Sequence, residues 1–142
     1  MKILIIVSYI EKINSDFARS LASKSDYIVC ADAGQFIAKK YGIIPDVCIG
    51  DFDSTNARNI DNKYACDAQN YKVFDCEYIT YPAEKNLTDA EASLEHVVNL
   101  FRETSLDIII LGGIGGRLDH TIGALNTIRE YSSSRVRVRL LD

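Results

Sequence analysis

Nowhere among the four cysteines of this chain (Cys30, Cys48, Cys66 and Cys76) does a C-x-x-C spacing occur. That absence argues against a zinc site or a disulfide framework. With Cys30 and Cys48 inside apolar runs, where a free thiol behaves as a small hydrophobe, the expectation is a reduced, cytoplasmic compartment. Excess positive charge is also lacking: the formal net charge is −4, so a general nucleic-acid surface is not expected, although a few local cations could hold a small anion. No long apolar run is present. The N-terminal MKILIIV gives way to Ser8, Tyr9, Glu11 and Lys12 and has no small-residue cleavage site. It reads as a buried first strand rather than a leader, and no membrane partner is expected. Tryptophan is missing, and no internal repeat or low-complexity segment is visible. No Gly-Lys-Ser/Thr completes a Walker A loop, the glycines lack dinucleotide-fingerprint spacing, and no Ser-His-Asp set or reactive thiol has comparable context. What is there is a 142-residue chain, 47% apolar and 25% charged, which is one globular domain with enough residues to bury a core.

The pattern alternates strand and helix. Lys2 to Val7 is a continuous aliphatic run, as expected of a strand covered on both faces. Ser15 is expected to cap a helix whose inward face carries Phe17, Ala18, Leu21 and Ala22. Tyr27 to Ala31 is a second strand, followed by a short helix with Ile37 and Tyr41 inward and Gly42 as its stop. A third strand follows Pro45. The stretch from Asn56 to Asn70 is polar and irregular, and β-prone residues between Tyr71 and Thr80 predict a fourth strand. Thr88, Asp89, Ala90 and Glu91 fit a capping box ahead of an apolar stripe of Ala90, Leu94, Val97, Val98 and Phe101. Leu106 to Leu111 is another buried strand. A helix over about Asp119 to Tyr131 should turn Ile122, Leu125 and Ile128 inward, and Arg135 to Leu140 alternates as a strand with one solvated face. These elements predict an α/β domain: a mainly parallel sheet of about six strands with helices on both faces, a Rossmann-like three-layer arrangement whose ligands bind at the strands' C-terminal edge.

That edge collects chemistry. In Ile43 to Thr55 (IIPDVCIGDFDST) a strand runs into Gly50 and then Asp51 and Asp53, two residues apart and so directed to the same side of an extended backbone. Two carboxylates so close repel unless a cation lies between them, and hard oxygens beside phosphate suit Mg²⁺. The same composition also suits an ordinary turn. Gly112, Gly113, Gly115 and Gly116, followed by Arg117, form a loop whose N–H groups could approach an anion, with the guanidinium beside it; a tight strand-to-helix turn has the same composition. Asp89 is both a good first-turn residue and, with Lys85 nearby, a candidate third metal ligand with a phosphate contact. His120, at a helix start after Asp119, is either structural or chemical. Three carboxylates, a glycine loop, one Arg and one Lys are together the parts of a phosphoryl-transfer site.

The segments ADAG (Ala31 to Gly34), PDVCIGDFDS (Pro45 to Ser54), YPAEKNLTD (Tyr81 to Asp89) and LGGIGGRLDHT (Leu111 to Thr121) resemble the catalytic domain of thiamin pyrophosphokinases, in that family's order. The resemblance implies transfer of a pyrophosphoryl group from ATP to the hydroxyethyl oxygen of thiamin, with Mg²⁺ required and AMP released. It implies that Asp51, Asp53 and Asp89 hold the metal and act in catalysis, with any general base falling to Asp51 or Asp53. It also implies that Asp32, Gly34, Lys85 and Thr88, together with the glycine loop, Arg117, Asp119 and His120, surround the nucleotide. Two departures stand out: Ala33-Gly34 where the family usually has two glycines, and Asn86 where Asp is common. Family members continue into an all-β domain that helps build the thiamin pocket, usually in a homodimer. This chain, residues 1–142, is expected to be the ATP-binding domain alone, with weak turnover. Transfer to another small alcohol such as a hydroxymethylpterin, or nucleotide binding without catalysis, are the competing readings.

Overall fold

Strand residues given alternately to opposite sides build a central sheet with two separate cores. The computed structural model describes residues 1–8, 10, 12–52, 72–81, 88–114 and 118–142, without the side chains of 118–120. In chain order the elements are β1 (Lys2–Ile6), α1 (Ser15–Ala22), β2 (Tyr27–Ala31), α2 (Gly34–Tyr41), β3 (Val47–Gly50), β4 (Glu77–Thr80), α3 (Asp89–Leu100), β5 (Leu106–Leu111), α4 (Leu118–Tyr131) and β6 (Val136–Leu141). Every strand pairing is parallel, in the order β4-β3-β2-β1-β5-β6. The expected α/β architecture is therefore present, with β1 in the interior of the sheet.

Ile3, Ile5, Val29, Ala31, Val47, Ile49, Ile108 and Ile110 face one layer, where Leu94 and Val97 of α3 and Ile128 and Tyr131 of α4 pack. Leu4, Ile6, Cys30, Cys48 and Leu111 face the other, against Ala18 of α1 and Ala38 of α2. Fully buried side chains such as Leu4, Ile5 and Ile6 each contribute about 1.5–3 kcal/mol of transfer free energy, so covering both faces is what makes an all-parallel sheet stable here. In β6 the alternation holds, with Val136 and Val138 buried and Arg137 and Arg139 exposed. No described helix is long and apolar enough to cross a membrane.

Several sequence expectations need correcting. The cap of α1 is Asn14, whose Oδ1 accepts from the Phe17 N–H at 2.9 Å, and Ser15 is already the first helical residue. Phe17 is 48% exposed, and Ala18 is the buried residue of that helix. Ile122 and Leu125 on α4 point outward at 50% and 55% exposure, while Thr127 is buried. Its hydroxyl donates to Gly123 O at 3.0 Å and Glu91 Oε1 at 2.9 Å, so small and polar residues, not Ile122 and Leu125, face α3. Within the described part of the Tyr71–Thr80 stretch, only Glu77–Thr80 is strand.

Candidate active site

Parallel pairing puts the C-terminal ends of all six strands on one edge, and the strand order reverses between β1 and β5, the place where an open α/β sheet leaves a crevice for a ligand. Left-handed backbone collects on this edge. Asp32 (φ 44) directly follows β2, Phe52 (φ 53) lies two residues beyond β3, and Gly112 (φ 94) and Gly113 (φ 86) follow β5. Asp32 and Phe52 are not glycines, and such conformations persist where the surroundings over-determine them, often at functional sites.

Those surroundings can be named. The Asp32 N–H donates to Ile49 O at 2.7 Å, extending the pairing of β2 with β3. Asp32 itself is nearly buried, 6% exposed. Gly34 then begins α2 so close to β1 that a Cβ there would stand 2.1 Å from Ile6 O. Beyond β3, Asp51 is half-buried and Phe52 buried, and Tyr81 N–H donates to Gly50 O at 3.1 Å. Across the sheet, Val7 N–H donates to Leu111 O at 3.1 Å and Gly112 N–H to Leu141 O at 2.7 Å, which holds the ends of β1, β5 and β6 together.

The N-terminus of α3 reaches the same edge, because the chain enters that helix from the C-terminal end of β4 in a sheet whose strands all run parallel. The expected capping box is present. Thr88 Oγ1 accepts from Glu91 N–H at 3.2 Å, and Glu91 Oε2 accepts from Thr88 N–H at 2.7 Å. Since the other oxygen of Glu91 takes the Thr127 hydroxyl, one carboxylate both caps α3 and ties it to α4. Asp89, half-buried in the first turn, is therefore held at a fixed position along this rim.

Of the residues the sequence nominates, Asp32, Gly34, Asp51, Thr88, Asp89, Gly112 and Gly113 are thus gathered along one edge. Asp53, Lys85, Gly115, Gly116 and Arg117 lie outside the described residues. Asp119 and His120 are in the first turn of α4, with their side chains also outside. Among the described residues no group of three or more His, Cys, Asp or Glu could hold a metal ion. Two of the three nominated ligands, Asp51 and Asp89, are described; both are hard oxygen donors, which suit Mg²⁺ better than a thiophilic metal.

The family description "Thiamin pyrophosphokinase, catalytic domain" matches residues 18–140. The chain belongs to this family. Among curated relatives, thiamin pyrophosphokinase 1 of Caenorhabditis elegans is 30% identical over 134 residues, covering 90% of this chain and 50% of that protein. Thiamine pyrophosphokinase of Bacillus subtilis is 32% identical over 113 residues, covering 78% and 47%. This thiamin pyrophosphokinase domain thus spans about half the length of the curated relatives it matches. Among solved structures, a thiamin pyrophosphokinase family protein from Enterococcus faecalis superposes with a TM-score of 0.74 at 23% identity, over 100% of this chain and 62% of that one. Yeast thiamin pyrophosphokinase gives 0.70 at 18% identity, over 99% and 58%. At these identities the two structures speak for the fold, and the family assignment rests on the sequence match.

Two residues next to the acidic turn are absent from the sequence reading. Gln35 is fully buried, one position after Gly34, and its Oε1 accepts from the Tyr78 hydroxyl at 2.8 Å. The signal was available: a polar residue three positions before Ala38, on the inward face of α2, has to find a buried partner.

Proposed function

We propose that this chain is the ATP- and Mg²⁺-binding catalytic domain of an enzyme that moves a pyrophosphoryl group from ATP to the hydroxyethyl oxygen of thiamin, leaving AMP and thiamin diphosphate. The observation that carries the reading is the convergence of Asp32, Asp51, Asp89 and the Gly112-Gly113 backbone on one sheet edge, in a chain whose sequence belongs to the thiamin pyrophosphokinase family.

In this reading Asp51, Asp53 and Asp89 hold the metal. When bound, Mg²⁺ supplies charge neutralisation for the phosphates and lowers the cost of bringing an alcohol oxygen to them. The chain's own residues position the reactants. Asp32, Gly34 and Thr88 border the nucleotide, and Lys85, Arg117 and the N–H groups of the 112–116 loop meet phosphate oxygens. Asp119 and His120 at the start of α4 complete that side. Phosphoryl transfer needs little more from a protein than such positioning and electrostatic complementarity. Asp51 or Asp53 takes the proton of the thiamin hydroxyl if a base is used. A homodimer and a cytoplasmic location belong to the same proposal.

The test is direct. The 142-residue chain should bind a non-hydrolysable ATP analogue in a Mg²⁺-dependent manner, and Asp51→Asn and Asp89→Asn should each weaken that binding with the far-UV spectrum unchanged. AMP release measured with thiamin, with a hydroxymethylpterin and without an acceptor identifies the alcohol. Weak turnover with thiamin is expected from these residues alone. Undiminished binding in both variants would remove the metal assignment.

A further inference from the structure

The acidic turn after β3 is held by a partly buried side-chain network that the reaction chemistry does not use. Phe52 lies between Asp51 and Asp53 with a left-handed backbone, and it is only 5% exposed. A bulky L-residue adopts that conformation only where packing dictates it. Here the packing comes from Tyr78 of β4, whose ring centroid is 5.5 Å from that of Phe52 at 53°. Tyr78 is itself fixed in three directions. Its hydroxyl donates to Gln35 Oε1 at 2.8 Å and accepts from the N–H groups of Val73 at 2.8 Å and Phe74 at 3.2 Å. Burial pushes the phenol above its ordinary range, so the hydroxyl keeps its proton for Gln35 throughout neutral pH.

Gln35 carries the connection to the second acidic turn. Its own N–H donates to Asp32 O at 3.3 Å. A Cβ at Gly50 would stand 3.0 Å from both Cα and Cβ of Asp32, so the ends of β2 and β3 are in close contact. One hydroxyl thus joins α2, β4 and residues 73–74, while its ring seats the residue beside Asp51. We propose that Tyr78 is a positioning residue that, through Phe52 and Gln35, fixes the Asp51 turn relative to the Asp32 turn in the geometry that binds metal and nucleotide. The proposal rests on the reading of Asp51 as a metal ligand.

The experiment separates the two. Mn²⁺-dependent binding of a non-hydrolysable ATP analogue and the thermal midpoint are measured for the full chain and for Asp51→Asn, Tyr78→Phe and the double variant Gln35→Met/Tyr78→Phe. Outer partners of metal ligands typically change metal affinity by about ten- to a hundredfold, and a loss at the lower end is expected for Tyr78→Phe. The double variant replaces both members of the Gln35–Tyr78 pair by apolar groups of similar shape and should recover the part of the stability lost with that bond, though not the part lost with the Val73 and Phe74 N–H bonds; this also covers the case in which Tyr78→Phe folds poorly. Its nucleotide affinity should stay low, because the link from β4 to α2 is still missing. Recovery of affinity in step with the midpoint would make the network merely structural and overturn the proposal. Loss of binding in Asp51→Asn with full binding in Tyr78→Phe would overturn it and leave the metal reading standing. Full binding in Asp51→Asn would overturn both.

Discussion

Replacing Gly34 by alanine should be far more damaging than a single methyl group suggests. The added Cβ would lie 2.1 Å from Ile6 O, 2.9 Å from Ile6 C and 3.3 Å from Val7 C. The first distance is more than an ångström inside the roughly 3.5 Å at which non-bonded heavy atoms attract best. No flexible side chain is available to swing away, because all three atoms are backbone. Ile6 is fully buried and in register with Cys30 on one side and Leu111 on the other, so relief means withdrawing α2 from the sheet. Overpacking costs about 1–3 kcal/mol and occasionally more, and with rigid partners on both sides about 3 kcal/mol is expected, a large share of a total on the order of 10 kcal/mol. At this chain length that lowers the thermal midpoint by about 10 °C. Gly42→Ala is the control. Gly42 has φ +68 and nothing within 4 Å of a Cβ, so only the left-handed penalty of about 1 kcal/mol applies, or about 3 °C. Thermal and urea unfolding of the two variants followed by circular dichroism decide the matter. If Gly34→Ala proves no worse than Gly42→Ala, the close approach of α2 to β1 is wrong.

Thr88→Ala removes one half of the capping box and should cost about 1 kcal/mol in urea unfolding, with Asp89 left in place; no loss would mean the cap is not formed in solution. Thr127→Val cuts the tie from α4 to the Glu91 carboxylate, and its effect should be non-additive with Glu91→Ala in a double-mutant cycle because the two groups touch. His96 on α3 is held below its ordinary pKa of 6.5, chiefly by burial and against the pull of Glu77. The unfolded chain therefore takes up that proton first, so the stability owed to neutral His96 is complete above 6.5 and is lost as pH falls toward the folded value. An NMR titration midpoint at or above 6.5 would contradict this. Cys30 and Cys48 are buried, and burial and the neighbouring Cys48 push the Cys76 thiol up to about 12, so all three should resist a bulky disulfide reagent at neutral pH until denaturant is added; mass mapping of the labelled positions checks it.

Much of this arrangement could be read directly from residues. YIVCA and LDIIIL match β2 and β5 to the residue, because runs of β-prone apolar residues, with Asp107 the one polar position, leave a strand buried on both faces little choice. Thr88 and Glu91 marked the start of α3 for a similarly local reason. Contacts distant in sequence decided the rest. β-prone Val73 and Phe74 lie outside the ladder since their N–H groups are taken by the Tyr78 hydroxyl. On α4 the apolar stripe of Ile122 and Leu125 competed with Thr127, and the bond to Glu91, 36 residues away, determined which face turns in. At the rim, the acids and glycines were visible as composition, whereas the roles of Phe52, Gln35 and Tyr78 depend on a fold-level neighbour that no local pattern encodes.

The interior place of β1 bears on how the chain is made. Ile3 to Ile6 pair on one side with Tyr27 to Cys30 of β2, close behind in sequence, and Lys2 to Ile6 pair on the other with Asp107 to Leu111 of β5. During synthesis a nascent polypeptide ending at Thr80 would already hold four strands, yet the first of them would still offer a whole row of backbone donors and acceptors to any passing strand. Closing that gap requires a very long loop, so the last step of assembly waits for the final third of the chain, and truncation before it should yield a sticky intermediate rather than a smaller soluble domain.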